Sequence, residues 1–174
     1  MNNGNPHRGG SPVGYLNEFS DLEASTVIYF RLWCDGPDTQ TKVYRDFFNV
    51  LGPEMGKEPL EKLCQILSDH GRRPLIRHAS EFKCVGADES CFANLVVSEI
   101  KGKSDDAMLI ATPLVSPAFA LDLVTYSVEF RSALQKIHNH FIVSWNLKIR
   151  QYTSSSRAKK TITMVPEVGI VLLF

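Results

Sequence analysis

The sequence has no long hydrophobic run, no nucleotide-binding glycine motif and no excess of charge of either sign. No stretch approaches the roughly 20 consecutive apolar residues that a membrane-spanning helix needs, so no membrane association is expected. Neither Gly-x-Gly-x-x-Gly nor a Walker-type lysine loop occurs, and nothing indicates nucleotide binding. The 19 basic and 19 acidic side chains give zero formal net charge. Such a chain has no global field that would attract nucleic acid or an anionic membrane surface.

Cysteine is also scarce. The chain has 4 cysteines among 174 residues, which is far from the density of a small secreted domain held together by disulfides. The first residues are rich in Gly, Asn and Pro and lack the apolar stretch of a secretory signal. A cytoplasmic protein with reduced thiols is therefore expected. Its length allows one domain that buries a core of its own.

Apolar residues that recur every three to four positions predict a mainly helical body. Ser20 and Glu23 form a capping box, which begins the first helix. The same rhythm recurs further along the chain, at about residues 39–51, 57–69, 88–99, 107–112 and 117–138. The expectation is a mainly α fold, a compact bundle of five or six helices over residues 15–140. Residues 1–14 have almost nothing to bury and are predicted to form a disordered leader.

The character of the sequence changes near residue 142. Apolar and polar residues alternate over 143–150, which is the period of a half-buried strand. A second β-prone run covers 161–165 after three turn-prone serines. Residues 141–174 are therefore predicted to form a β-prone, hairpin-like tail, which is basic because residues 142–174 carry a local charge of +4. We expect this tail to pair with itself, with the helical body or with another subunit.

The segment 70–99 concentrates the residues that could carry chemistry. His70, His78, Cys84 and Cys91 offer imidazole and thiolate groups, the ligands that zinc prefers, and four of them can close a tetrahedral structural site. Their spacing is wider than the short clips of common zinc modules. A metal would nevertheless give order to an irregular link with little to bury. The alternative is that these residues are unliganded, since a free cysteine ordinarily behaves as a small hydrophobe.

A second interpretation of this segment is nucleophilic catalysis by Cys91. With Asp88 as the helix cap, Cys91 would lie in the first helical turn, where amide dipoles lower the pKa of a thiol. His70 or His78 could then serve as a base. The adjacent Asp88 and Glu89 oppose this effect because negative charge raises the pKa of a thiol. No nucleophile signature surrounds Cys91.

Three stretches together resemble a group of short bacterial proteins with no assigned activity. They are GRRPLIRH (71–78), CVGADESCFANLVVSEI (84–100) and DDAMLIA (105–111). The resemblance covers about residues 27–137. It implies a bacterial, cytoplasmic setting and a helical body, and it brings no substrate, cofactor or catalytic residue.

These observations favour a non-catalytic interaction or regulatory protein, because helix faces are abundant and a convincing catalytic set is lacking. Its partner would be another protein or a second copy of the chain, and no cofactor is expected. Nucleic acid is disfavoured because residues 1–141 are acidic overall. The alternative is a zinc-binding protein that uses the histidine and cysteine set structurally or for hydrolysis.

Overall fold

A computed structural model describes residues 8–52, 58–98 and 104–155. These residues form six α-helices: α1 Asp21–Cys34, α2 Pro37–Leu51, α3 Glu58–His70, α4 Ala87–Val97, α5 Ser104–Leu114 and α6 Pro117–Ser155. Two short strands, β1 Pro12–Tyr15 and β2 Cys84–Gly86, pair antiparallel, and 3-10 turns cover Arg8–Gly10 and Leu16–Glu18. The predicted mainly helical fold is confirmed. No described helix combines the length and hydropathy needed to cross a bilayer.

Local signals in the sequence set where the first helices begin and end. The predicted capping box is present: the Ser20 amide donates to the Glu23 carboxylate over 2.9 Å, and the Glu23 amide donates to the Ser20 hydroxyl over 3.4 Å. Gly36 and Gly52 follow the ends of α1 and α2 with φ of +117° and +79°. Glycine adopts this left-handed region without steric strain, which is why it so often follows a helix end.

Helix α6 is the centre of the bundle and contacts each of the other five described helices. The apolar residues that recur over 117–138 are buried at Leu123, Phe130, Leu134 and Ile137, and Ser127 is buried with them. Aromatic rings from neighbouring helices complete the core. The Phe47 ring of α2 stacks on Phe130 with 6.1 Å between centroids, and the rings of Phe30 and Phe92 lie 4.6 Å apart between α1 and α4.

The structure differs from the sequence interpretation in the tail. α6 continues to Ser155, so residues 143–150 are helical and not the expected strand. No glycine or proline occurs between Pro117 and Ser155. A helix that is already nucleated gains one hydrogen bond for each residue added, and without a breaker it propagates. The second expected strand, at 161–165, lies outside the described residues.

The amino-terminal segment also differs from the disordered leader that its composition indicates. Residues 8–10 form a 3-10 turn and residues 12–15 form β1, whereas residues 1–7 lie outside the described residues. In the β1–β2 ladder, Gly14 pairs with Val85 and Tyr15 with Cys84. Backbone pairing with a segment 70 residues away in the chain supplies the order that this polar stretch could not gain from apolar burial.

Candidate functional site

Two adjacent acids in the first turn of α4 organise the most polar region of the interior. α4 begins at Ala87 with Gly86 as its cap, so the cap expected at Asp88 lies two residues earlier. Asp88 and Glu89 thus lie where unpaired amides and the helix dipole favour carboxylates. The Glu89 carboxylate accepts a hydrogen bond from the Gly86 amide over 2.8 Å. Gly86 has no side chain to accept from the amides of the first turn, so the helix start has only the reciprocal half of a capping box, in which Glu89 accepts from the Gly86 amide.

Glu89 forms an ion pair with Arg31 of α1, and both side chains are 0% exposed. The pair is bidentate: Arg31 Nε donates to Glu89 Oε1 over 2.7 Å, and Nη2 donates to Oε2 over 2.7 Å. Two further guanidinium N–H groups donate to the carbonyl oxygens of Phe82 over 2.6 Å and Cys84 over 2.7 Å. One buried side chain therefore joins α1 to α4 and to the chain that enters β2.

His78 adds two further hydrogen bonds to Glu89. Its backbone amide donates to Oε1 over 2.8 Å, and its Nδ1 lies 2.9 Å from Oε2. Burial raises the pKa of Glu89, but the hydrogen bonds from Arg31, the Gly86 amide and His78 outweigh it and lower the pKa to about 2. A carboxylate that is so strongly held in its ionised form is unsuited to proton transfer near neutral pH. Its role is to bind three segments of the chain together.

Asp88 binds the irregular segment between α3 and β2 at a second point. Arg73 donates to both of its carboxylate oxygens over 2.6 Å, and the Ile76 amide donates to Oδ2 over 2.8 Å. Asp88 is buried, whereas the Arg73 side chain is 56% exposed. A Cβ atom added to Gly9 would overlap the Asp88 carboxylate, so the amino-terminal 3-10 turn approaches this pair through a residue that has no side chain.

The four predicted zinc ligands lie in different surroundings. His70 ends α3 and stacks on Phe119 of α6 with 3.5 Å between ring centroids. His78 binds Glu89, Cys84 lies in β2 opposite Tyr15, and Cys91 packs from α4 against the main core. Within residues 8–52, 58–98 and 104–155, no group of three or more His, Cys, Asp or Glu side chains could hold a metal ion. The zinc site stays a prediction.

Cys91 lacks the electrostatics that the nucleophile interpretation requires. Because α4 begins at Ala87, Cys91 falls beyond the first turn and its unpaired amides. Burial raises the pKa of its thiol, the Asp88 carboxylate raises it further, and Arg73 only partly opposes them. An activated cysteine needs the opposite shift.

Sequence reasoning missed Arg31 and assigned Glu89 no structural role. Both residues can be recognised from the sequence, because each is a charge within the apolar stripe of its helix. Arg31 follows Val27 by four positions, and Glu89 precedes Phe92 by three, so each charge lies on a face that is otherwise buried. A charge on a buried face requires a partner of opposite sign. Which two residues pair across 58 positions of sequence is decided only by the packing of α1 on α4.

The small sheet lies directly on this network and presents apolar side chains to solvent. Val13 and Tyr15 of β1 are 54% and 57% exposed, and Phe82, two residues before β2, is 50% exposed. We refer to these three residues as the sheet surface. Hydrogen bonds hold the backbone that carries them. Arg31 donates to the Phe82 and Cys84 carbonyl oxygens. The Leu16 amide donates to the Lys83 carbonyl oxygen over 2.9 Å, and the Ala87 amide donates to the Ser11 carbonyl oxygen over 3.0 Å.

No family model matches this chain, and comparisons with curated proteins and with solved structures find no significant match.

Proposed function

We propose that this protein is a non-catalytic interaction module that binds another protein, or a second copy of itself, through the sheet surface. The observation that carries the proposal is the exposure of Val13, Tyr15 and Phe82 on a backbone that the buried Arg31–Glu89 pair holds in place. Large apolar side chains that are exposed favour association, because burying them removes apolar area from water.

The rigidity of this backbone supports a binding role. Association loses less free energy to conformational ordering when the binding residues are already held in position. Here the segment that carries Phe82 is tied to Arg31 through its own carbonyl oxygen, and β1 is tied to β2 through the ladder. Aromatic residues such as Tyr15 and Phe82 are also the kind that dominate binding energy at protein interfaces.

The sheet offers a second element of recognition. It contains two strands among the residues that the structure describes, and the outer edge of β1 has no further strand paired to it, whereas β2 already uses its Cys84 carbonyl and Gly86 amide on Arg31 and Glu89. An extended segment of a partner can add to such an edge through backbone hydrogen bonds, while its side chains contact the apolar surface. This favours a protein partner over a small molecule.

The proposal is tested with the paired variant Y15S/F82S against the matched control L109S/L121S. Leu109 and Leu121 are 71% and 65% exposed on α5 and α6 and belong to neither strand. Light scattering gives the mass of each protein over a range of concentration, and quantitative affinity isolation compares the partners retained by each. We expect Y15S/F82S to bind itself or its partner about tenfold more weakly than wild type, and L109S/L121S to bind as wild type does, since a single interface anchor is worth 1 kcal/mol or more.

Two results would contradict this function. One is equal association by wild type, Y15S/F82S and L109S/L121S. The other is turnover of a phosphoester, ester or peptide by the purified protein that H78A or C91A abolishes, because a catalytic role would then replace a binding one.

The zinc-binding alternative has its own measurement. It predicts about one zinc per chain in tag-free protein by plasma mass spectrometry, since a tetrahedral set binds a single ion. It also predicts that a chelator lowers the melting temperature and that C84S does the same without chelator. Protein without bound metal, and with a melting temperature that a chelator leaves unchanged, would remove it.

A further inference from the structure

Residues 8–19, which we call the arm, carry two of the three side chains that make up the sheet surface. Val13 and Tyr15 belong to the arm, and Phe82 lies far along the chain, before β2. The arm meets the rest of the fold at the β1–β2 ladder, where Tyr15 pairs with Cys84, two residues after Phe82. The sheet surface is therefore complete only when the arm is docked.

The arm makes a close approach to the rest of the fold at Gly9, which is buried. A Cβ atom at this position would overlap the Asp88 carboxylate carbon and both of its oxygens. That carboxylate is fixed, because Arg73 donates to both oxygens and the Ile76 amide donates to Oδ2. Position 9 therefore accepts glycine and rejects a residue with a side chain.

Two neighbouring glycines are packed almost as closely. A Cβ atom on Gly10 would lie 2.8 Å from Ile76 Cγ2, and one on Gly86 would lie 3.0 Å from His78 Cε1 and 3.2 Å from the Gly9 carbonyl oxygen. These distances are shorter than an ordinary contact between carbon atoms. The surface under the arm therefore selects a segment with glycine at two consecutive positions.

Few buried side chains hold the rest of the arm. Over residues 9–19, Gly9 is the one buried residue. Leu16 and Phe19 pack against a small apolar cluster and are only partly buried, and backbone hydrogen bonds supply the other contacts. Segments with so little buried apolar surface open locally at a low cost in free energy. How well Gly9 fits against Asp88 therefore decides whether the arm stays docked.

We propose that docking of the arm is a conformational switch that completes the sheet surface, and that the contact of Gly9 with the Asp88–Arg73 pair holds it in the docked state. This inference rests on the proposed function, since it concerns how the same surface becomes available to a partner. In the undocked state a partner meets Phe82 without the arm, and its affinity falls. A partner that binds the docked state raises the population of that state, because a ligand shifts an equilibrium by its differential affinity.

Full-length G9A tests the switch, with S11A as the matched control. Ser11 is an exposed neighbour in the arm and accepts from the Ala87 amide through its backbone carbonyl. Hydrogen exchange of the amides over 13–16 and 84–87 reports docking without any partner. It is expected to be about tenfold faster in G9A, because the added Cβ overpacks the contact, and unchanged in S11A. Partner binding or self-association is expected to be about tenfold weaker in G9A, because only the docked fraction is competent.

A peptide with the sequence of the arm, RGGSPVGYLNEF, tests the same contact in trans. Added to full-length G9A, it is expected to restore slow exchange over 84–87 and to restore binding. The same peptide with Gly9→Ala is expected to restore neither, and the peptide with Ser11→Ala is expected to act as the parent does. Circular dichroism and exchange in the buried part of α6 show that G9A is folded. G10A is a milder second variant, since its added Cβ would meet the Ile76 side chain, and it is expected to change exchange in the same direction.

The switch would be ruled out if exchange over 13–16 were the same in G9A, S11A and wild type. It would also be ruled out if the Gly9→Ala peptide restored G9A as well as the parent peptide does. Fast exchange in G9A with unchanged binding, beside weakened binding in Y15S/F82S, would overturn the switch and leave the proposed function in place. Equal binding by Y15S/F82S and wild type would contradict the proposed function and with it the role of the switch.

Discussion

The pairing of Arg31 with Glu89 shows how one residue can hold distant segments together. Removing two charges from water costs several kcal/mol for each ion, and this is offset only when nearly every donor and acceptor is satisfied. Arg31 donates to both Glu89 oxygens and to two carbonyl oxygens, and Glu89 also accepts from Gly86 and His78. The consequence is that neither partner can be changed alone without leaving buried groups unpaired.

E89Q is expected to destabilise the protein by about 3–5 kcal/mol, because it leaves the Arg31 charge buried without an opposite charge. Urea unfolding followed by circular dichroism measures the change. R31M should cost a similar amount, and the double variant R31M/E89Q should cost less than the sum of the two, since the groups interact directly. E58Q is the control: it removes an ion pair with Lys62 on the surface of α3 and should change stability far less. Equal losses in E89Q and E58Q would contradict this role of the buried pair.

Glu89 also predicts how stability depends on pH. Its pKa falls from an ordinary value of 4.5 to about 2 on folding. The stabilisation is therefore complete above pH 4.5 and is lost as the pH falls towards 2, because protons then bind the unfolded chain first. The shift corresponds to about 3 kcal/mol. The unfolding free energies of wild type and E89Q, measured from pH 6 to pH 2, should converge at the acid end. Parallel curves would show that Glu89 does not titrate in this way.

At the scale of the element, the first turn of α4 acts as an anchor for the irregular link between α3 and β2. Asp88 binds Arg73 and the Ile76 amide, while Glu89 binds His78. The link has little apolar surface of its own, so these charge-assisted hydrogen bonds supply its order. Loss of the Asp88 carboxylate should therefore destabilise this link more than it destabilises the protein as a whole.

D88N is expected to increase hydrogen exchange of the amides over residues 73–78 by about tenfold, because a hydrogen bond to a charged group is worth roughly 1.5–3 kcal/mol. Exchange in the buried part of α6 should change much less. E81Q is the matched control, since Glu81 is an exposed acid in the same link. Unchanged exchange over 73–78 in D88N would show that the link is held by other contacts.

At the scale of the whole molecule, stability depends on the aromatic core that packs against α6. F92A should lower the unfolding free energy by about 3–5 kcal/mol, because it leaves a cavity beside Phe30 at a position that is 0% exposed. L109A removes an apolar side chain that is 71% exposed and should stay within about 0.5 kcal/mol of wild type. Chemical denaturation of both variants provides the measurement. Comparable losses would mean that α5 packs against something in solution.

The sequence by itself determined the helical class and most of the buried stripe of α6, because the three-to-four periodicity of apolar residues is a local property. It also determined the start of α1 at its capping box, whose two residues lie within one turn. The alternation of apolar and polar residues over 143–150 predicted a strand wrongly, because this pattern too is only a local property. A local pattern carries no information about the helix that already runs into it from Pro117.

Only the tertiary structure decided which polar residues meet. Arg31 and Glu89, and likewise Arg73 and Asp88, come from different segments of the chain, and each pair forms where those segments pack against one another. Sequence spacing singled out segment 70–99 as the stretch that could carry chemistry and proposed His70, His78, Cys84 and Cys91 as one group, which stays a prediction. Ion pairs act over a few ångströms. Their partners are therefore fixed by packing in three dimensions, which the spacing of residues along the chain does not encode.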